Sequence, residues 1–233
     1  MFCGGYKMLN FIYSTLLLVT LAYPLYRFHE PRLRMKKNVF SVFLSVSFVA
    51  VFFIGWDIVF AINKLWNFNP RFVTGVSLFY LPLEEWLFFF VIPYSCLFIY
   101  EVVNYFFPEM RSSCLISAAS ILFALFLLIA AILNTNRLYT LVSFSSGSVV
   151  MLILVVIPFY RKQLALFWLS WFFCLIPFFF VNGVLTALPV VSYAAVGILN
   201  IRIFSIPVED FIYSHALLFL NFALYNYLIR NKR

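Results

Sequence analysis

Residues 121–133 read ILFALFLLIAAIL, an apolar run without a single polar position. A helix on the surface of a soluble protein keeps one polar face, and a strand of a membrane barrel alternates polar and apolar residues. Similar runs recur along the chain, in which 65% of the residues are hydrophobic and 10% are charged. A soluble domain carries about 45–50% apolar and about 25% charged residues. The sequence therefore predicts an all-α integral membrane protein and excludes a soluble fold or a barrel.

The apolar stretches predict about seven transmembrane helices, each close to the roughly 20 residues that cross a bilayer. We place them at residues 8–26, 40–60, 81–101, 115–133, 139–159, 164–183 and 206–228. The segments 62–80 and 184–205 between them are also apolar, so a path that re-enters the bilayer stays open for both.

The basic residues are divided unequally between the two sides of the predicted bundle. Lys7, Lys64, Arg71, Arg137 and Arg202 fall on one side, and the eleven others fall on the opposite side. Cytoplasmic loops are enriched in Lys and Arg, which predicts a multi-pass protein of the cell (inner) membrane with its amino terminus outside and its carboxyl terminus in the cytoplasm. This topology also explains the net charge of +8 without any nucleic-acid partner.

An acidic motif occurs twice, as Pro82-Leu-Glu-Glu85 and as Pro207-Val-Glu-Asp210, 125 residues apart. The same shift aligns Asp57 with Asn182. We therefore predict a first three-helix repeat at residues 1–106, a linker helix at 107–136 and a second three-helix repeat at 137–233. Because the linker adds one span, the two repeats run parallel and both motifs reach the same depth, near the outer membrane surface.

Five of the eight acidic residues lie within or beside apolar segments, namely Asp57, Glu84, Glu85, Glu209 and Asp210. An ionised side chain at a helix centre costs roughly 2.5–3.5 kcal/mol on insertion scales, so a doubled pair of acids indicates a function. The alternative is a helix opening in the headgroup region, with proline followed by acids in the first turn. Adjacent buried acids repel each other and favour one neutral member beside one carboxylate, which suits proton transfer. The other three acids, Glu30, Glu101 and Glu109, are expected to be solvated.

Several other membrane functions lack their required residues. No dinucleotide or P-loop glycine motif occurs. Residues 206–228 contain no lysine for a retinal Schiff base, and Phe89 stands where an EExxxR protease needs arginine. Asp57 stands alone where a diphosphate-binding prenyltransferase needs a cluster of aspartates. The four cysteines form no CxxC pair, so neither a metal site nor a disulfide framework is expected.

The chain resembles the small integral-membrane lycopene cyclases, which occur as two-subunit bacterial enzymes, as fused chains and as the cyclase half of bifunctional fungal proteins. The resemblance rests on Trp56-Asp57, on the segments 65–68 and 81–89, and on Pro207-Val-Glu-Asp-Phe211. It covers essentially the whole chain. Some relatives act on C50 carotenoids, so the substrate length stays open.

The resemblance implies a lycopene β-cyclase, which converts acyclic carotenoid ends to β-ionone rings by acid–base chemistry without a metal or another cofactor. It implies Glu84, Glu85, Glu209, Asp210 and Asp57 as catalytic residues. Aromatic side chains beside the acids suit a carbocation, although Trp and Tyr near span ends also form interfacial belts. We expect Trp56, Trp86, Phe89, Asn182 and Tyr213 to bind a lipophilic carotenoid within the bilayer. A proton-coupled carrier is the alternative function, and a homo-oligomer is left open.

Overall fold

A computed structural model of the protein describes residues 10–231 and shows an α-helical bundle. Eight α-helices occur in this part of the chain. They are α1 (Ile12–Tyr26), α2 (Val39–Ile62), α3 (Leu83–Phe106), α4 (Cys114–Leu133), α5 (Leu138–Val156), the short α6 (Pro158–Arg161), α7 (Leu164–Ala187) and α8 (Val208–Arg230). Two 3₁₀ turns, at Arg27–His29 and Lys36–Asn38, lie in the loop between α1 and α2. The all-α membrane fold is confirmed.

Among the described residues, six helices are long and apolar enough to cross a membrane: α2 (counted from Lys36), α3, α4, α5, α7 and α8. Six of the seven predicted spans are therefore found. The seventh, at residues 8–26, corresponds to α1, whose 15 residues fall short of the usual span of about 20. Residues 8 and 9 of that predicted span lie outside the described part of the chain, as do Lys7, Cys3, Lys232 and Arg233 used in the sequence analysis.

Prolines fix three of the helix ends. The residue before a proline is disfavoured in the helical conformation, and α5 ends at Val156, before Ile157-Pro158, rather than at the predicted residue 159. Pro82 and Pro207 adopt extended backbone angles as N-caps, so α3 and α8 begin one residue after them. Both acids of each motif consequently lie in the first turn of a long helix.

Short strands occupy the two apolar segments that precede α3 and α8. Strand β2 (Ser77–Leu78) pairs with β3 (Leu81–Pro82), and β5 (Arg202–Ile203) pairs with β6 (Ile206–Pro207). The two hairpins have equivalent pairing, shifted by 125 residues: Ser77 pairs with Pro82, and Arg202 pairs with Pro207. They end at the acidic motifs and set the direction in which α3 and α8 start.

A third antiparallel pair joins the two halves of the chain. Strand β1 (Trp66–Phe68) pairs with β4 (Val191–Tyr193), and Asn67 stands opposite Ser192. These two residues are also 125 apart, so the strand pairs with its own counterpart. Two antiparallel strands of this kind are related by a two-fold rotation.

The helices of the two halves interleave. Helix α1 packs on α3 and α5 packs on α8, while α2 also packs on α8 and α7 on α3. Helix α4 packs mainly against α5. The space between the halves is therefore bounded by helices from both.

Glu101 was expected to be solvated, and this expectation is wrong. Its side chain on α3 is buried, and the Arg34 guanidinium forms an ion pair with it at 2.6 Å. The backbone N–H of Arg34 also donates to Glu101, at 2.9 Å. The buried charge is compensated by a cation and several hydrogen bonds, as burial requires, and the pair attaches the loop after α1 to the bundle.

Candidate active site

An elongated cavity of about 390 Å³ lies between α1, α2, α3, α7 and α8. Its lining is mostly apolar and aromatic, and it includes three carboxyl groups, those of Asp57, Glu85 and Asp210. Glu85 and Phe98 both line it from α3, so it follows that helix for about 20 Å at 1.5 Å per residue. A long apolar cavity with a few convergent polar groups is the usual form of a small-molecule site.

The cavity opens toward the membrane-facing surface between α1 and α7. Val19 and Tyr23 on α1 and Phe180 on α7 line it and are also largely exposed on the outside of the bundle. A hydrophobic molecule dissolved in the bilayer can therefore reach the cavity from the side.

The first acidic motif sends its two side chains in different directions. Glu85 faces the cavity, and its Oε2 accepts a hydrogen bond from the Tyr13 hydroxyl at 2.6 Å. Glu84 does not line the cavity; its Oε1 accepts from the Thr74 backbone N–H at 2.7 Å and from the Ser14 hydroxyl at 3.2 Å. Neighbouring helix positions point about 100° apart, which accounts for the separation.

The second motif repeats this division. Asp210 faces the cavity and accepts hydrogen bonds from the Tyr139 hydroxyl on Oδ1 and from the Tyr193 hydroxyl on Oδ2, both at 2.7 Å. Glu209 is turned away, and its Oε1 accepts from the Thr140 hydroxyl at 2.6 Å and from the Leu199 backbone N–H at 2.7 Å. Leu199 follows Thr74 by the 125 residues that separate the motifs, so Glu84 and Glu209 each hold the loop before their own helix.

Asp57, in the C-terminal half of α2, joins the two motifs. Its Oδ1 accepts from the Tyr213 hydroxyl of α8 at 2.5 Å, and its carboxyl lines the same cavity as that of Glu85. Two carboxyl groups can form a hydrogen bond only when one of them carries a proton. Within residues 10–231, ion pairs involve Glu30 and Glu101 and none of the cavity carboxyls. The three groups therefore line one cavity as buried side chains without a paired cation.

The predicted substrate-binding residues divide into two sets. Phe89, Asn182 and Tyr213 line the cavity, as predicted. Trp56 does not; it packs edge-on against Phe52, whose side chain is half exposed. Trp86 also lies outside the cavity, and its indole N–H donates to the Leu78 carbonyl at 3.2 Å in the hairpin before α3. Each tryptophan is adjacent in sequence to a cavity acid, and the helical turn of about 100° directs it elsewhere.

Four tyrosine hydroxyls donate to the cavity carboxyls, and three of these tyrosines were missed: Tyr13, Tyr139 and Tyr193. A signal for two of them exists, because Tyr13-Ser14 recurs as Tyr139-Thr140, 126 residues later and one residue out of step with the acidic motifs. Burial raises the pKa of the Tyr193 phenol well above its ordinary value, and the charge of Asp210 raises it further. Tyr193 is therefore a protonated hydrogen-bond donor.

Aromatic rings surround the carboxyls. The Trp66 indole lies in edge-to-face contact with Tyr139, Tyr193 and Tyr213, with ring centroids 5.2, 6.1 and 6.4 Å apart. Phe88 and Phe89 line the adjoining wall of the cavity. Ring faces attract a positive charge, so the same space that holds the acids can also stabilise a carbocation.

Comparison with known proteins gives one finding. A family model described as lycopene cyclase matches residues 10–103 and 136–228, which span α1, α2, α5, α6 and α7 and nearly all of α3 and α8, and which leave α4 between them. Neither the curated proteins nor the solved structures contain a significant match. The matched stretches cover most of the chain and confirm the resemblance drawn from the two acidic motifs. The chain thus belongs to the lycopene cyclase family, as a multi-pass membrane enzyme of carotenoid biosynthesis.

Proposed function

We propose that the protein is a lycopene β-cyclase that closes rings by acid–base catalysis. The observation that carries this proposal is the cluster of Asp57, Glu85 and Asp210, held together within an elongated apolar cavity. Carboxyl groups in a dry cavity can exchange protons with an alkene that water would never protonate at neutral pH. Family membership supplies the substrate class, and the cavity supplies the reacting groups.

The reaction adds one proton to the carotenoid end and later removes one proton from it. A carboxylic acid adds a proton to C2 of the terminal double bond, which leaves a tertiary cation at C1. The C5=C6 double bond attacks C1, the C1–C6 bond closes the ring, and the charge moves to C5. A carboxylate then removes the proton from C6, which forms the C5=C6 bond of the β-ring. Trp66, Phe88 and Phe89 line the cavity, and aromatic rings there can stabilise the cation during these steps.

The predicted catalytic set becomes smaller in this proposal. Glu85, Asp210 and Asp57 line the cavity and carry the proton transfers. Glu84 and Glu209 hold the loops before α3 and α8 through backbone N–H groups, and they support the site without touching the substrate.

The substrate enters from the bilayer in this proposal. Lycopene is a hydrocarbon that dissolves among the lipid chains, and the opening at Val19, Tyr23 and Phe180 lies on the membrane-facing side. One acyclic end occupies the cavity beside the carboxyls while the remainder of the polyene extends toward the lipid. Asn182 and Phe89 line the path of that end.

We also propose the membrane and the orientation expected from the sequence: the cell (inner) membrane, with the amino terminus outside and the two acidic motifs near the outer surface. The excess of Lys and Arg on one side supports it. A reporter enzyme that is active only in the cytoplasm should be inactive when inserted near Asn69. Activity at that position would contradict the proposed orientation and indicate the opposite one.

Expression in bacteria that accumulate lycopene tests the function. Cells with the wild-type chain should turn from red to yellow and yield β-carotene or the monocyclic γ-carotene, identified by chromatography. Cells with Glu85→Gln should stay red while immunoblots show the same amount of protein in the membrane. Unchanged lycopene beside a stable, inserted wild-type protein would contradict the proposal, and substrate-dependent proton flux without product would favour a carrier.

A further inference from the structure

The two halves of the site share the acidic motif but differ at several cavity-lining positions, and three of these differences add or remove a hydrogen-bonding group beside the carboxyls. Asp57 of the first half corresponds to Asn182 of the second, 125 residues later. By the same shift Phe68 corresponds to Tyr193, and Phe88 corresponds to Tyr213. The repeat is thus broken at the cavity itself, which gives Glu85 and Asp210 different partners although their places in the two halves are equivalent.

Asp210 is surrounded by donors. Each of its two oxygens accepts a phenol hydroxyl at 2.7 Å, from Tyr139 and from Tyr193. Hydrogen bonds from neutral donors to both oxygens favour the ionised form of a carboxyl group. The high pKa of the Tyr193 phenol keeps its hydroxyl in the donating form.

Glu85 has a different set of partners. It accepts one phenol hydroxyl, from Tyr13, and the position that corresponds to Tyr193 holds Phe68, which cannot donate. Its other neighbour is the carboxyl of Asp57, and two carboxyls that meet can form a hydrogen bond only when one of them carries a proton. Asp57 is held in turn by the Tyr213 hydroxyl at 2.5 Å. The contacts of the first half therefore suit a carboxyl pair that holds a proton, whereas the two phenol donors suit Asp210 as a carboxylate.

We propose that the Asp57–Glu85 pair is the proton donor of the cyclisation, that Asp210 is the proton acceptor, and that Tyr193 is the positioning residue that makes Asp210 the acceptor. This inference rests on the proposed cyclase function. The proton of the pair passes to C2, the C1–C6 bond closes, and Asp210 takes the proton from C6. After each ring closure the pair has lost one proton and Asp210 has gained one, so a proton returned through the phenols or the solvent restores the site.

The position of the acceptor decides which ring is formed. The cation at C5 can lose a proton from C6, from C4 or from the methyl group on C5, which gives a β-, an ε- or a γ-ring. The chemistry up to the cation is the same for all three products. A change at the donor pair therefore alters only the amount of product, whereas a change in the position or charge of the acceptor alters the ring type.

The test compares Tyr193→Phe with Asp57→Asn in lycopene-accumulating cells, with ring types identified by chromatography and NMR. Tyr193→Phe removes one hydroxyl and installs the residue that the first half already has at Phe68. It should lower total cyclised product and raise the share of ε- or γ-rings from near zero to a tenth or more. Asp57→Asn should lower total product at least tenfold and leave β-rings as the only type.

The control is Tyr94→Phe, which removes a phenol hydroxyl that donates to the Pro24 carbonyl outside the carboxyl cluster. It should match the wild type in the amount of cyclised product and in ring type.

Tyr193→Phe with only β-rings, or Asp57→Asn with a changed ring type, would overturn the assignment. If Tyr193→Phe does not accumulate in the membrane, Asp210→Glu decides, because moving the acceptor by one methylene must change the ring type. A wild-type chain that makes no rings at all would refute the proposed function instead.

Discussion

The two acids of each motif differ in what they contact. Glu84 and Glu209 bind backbone N–H groups of the preceding loops, whereas Glu85 and Asp210 bind phenols at the cavity. A buried carboxyl group that accepts a backbone N–H holds the loop, and its loss leaves that N–H without a partner. Adjacent residues with similar chemistry therefore have separable effects, one on stability and one on turnover.

Replacing Glu84 or Glu209 should destabilise the protein. Glu84→Ala removes the acceptor of the Thr74 N–H and of the Ser14 hydroxyl, and each lost hydrogen bond costs about 0.5–1.5 kcal/mol. Glu209→Ala does the same at Leu199 and Thr140. Thermal unfolding of the detergent-solubilised protein should show a lower midpoint for both variants.

Glu85→Gln and Asp210→Asn serve as the matched comparison, since they keep the side-chain volume and remove only the titrating group. They should unfold near the wild-type temperature and lose activity by about 10²- to 10⁴-fold, the usual contribution of a general acid or base. A fully stable but inactive Glu84→Ala would place Glu84 in the chemistry and contradict this division of roles.

At the scale of elements, the structure shows which parts of the chain have a signature in the sequence. Long apolar helices have such a signature, because a stretch of about 20 residues without charge is stable mainly within a bilayer. The hairpins before α3 and α8 have no such signature, because two-residue strands are too short to show the alternation of polar and apolar residues that is typical of a strand. Glu101 at a span end looks solvated until the loop carrying Arg34 folds back upon it. Contacts between distant segments decided what the local pattern left open.

The opening between α1 and α7 should control substrate entry. Val19 lines the cavity and is 59% exposed on the bundle surface, so Val19→Trp should obstruct the opening with a large side chain. We expect several-fold lower conversion of lycopene in membranes, seen as a higher apparent KM with kcat preserved. The carboxyl cluster lies farther along the cavity and stays unchanged.

Leu18→Trp provides the control for the opening. Leu18 is the preceding residue on α1, is 66% exposed and does not line the cavity, so the same substitution enters the lipid instead. It should convert lycopene at the wild-type rate. An equal loss of lycopene conversion in both variants would indicate a general effect on α1 and would contradict the opening as the entry route.

At the scale of the whole molecule, the interleaved packing makes one shared site. Helix α2 of the first half packs on α8 of the second, and this contact brings Asp57 to the Tyr213 hydroxyl. Glu85 of the first half and Asp210 of the second line the same cavity. A duplicated chain could have kept two equivalent sites, but Asn182 and Phe88 leave the second half without a counterpart of the Asp57–Tyr213 pair.

A shared site predicts that damage to either half stops all cyclisation. Glu85→Gln removes part of the donor pair and Asp210→Asn removes the acceptor, so each variant alone should yield neither β-carotene nor γ-carotene. Two independent sites would instead leave one ring-forming half in each variant, and each would accumulate the monocyclic γ-carotene. Expressing both variants together sharpens the comparison, since independent sites would then supply both activities and restore the yellow bicyclic product. With donor and acceptor required in the same cavity of the same chain, the mixed cells should stay red, and chromatography of their pigments distinguishes the two arrangements.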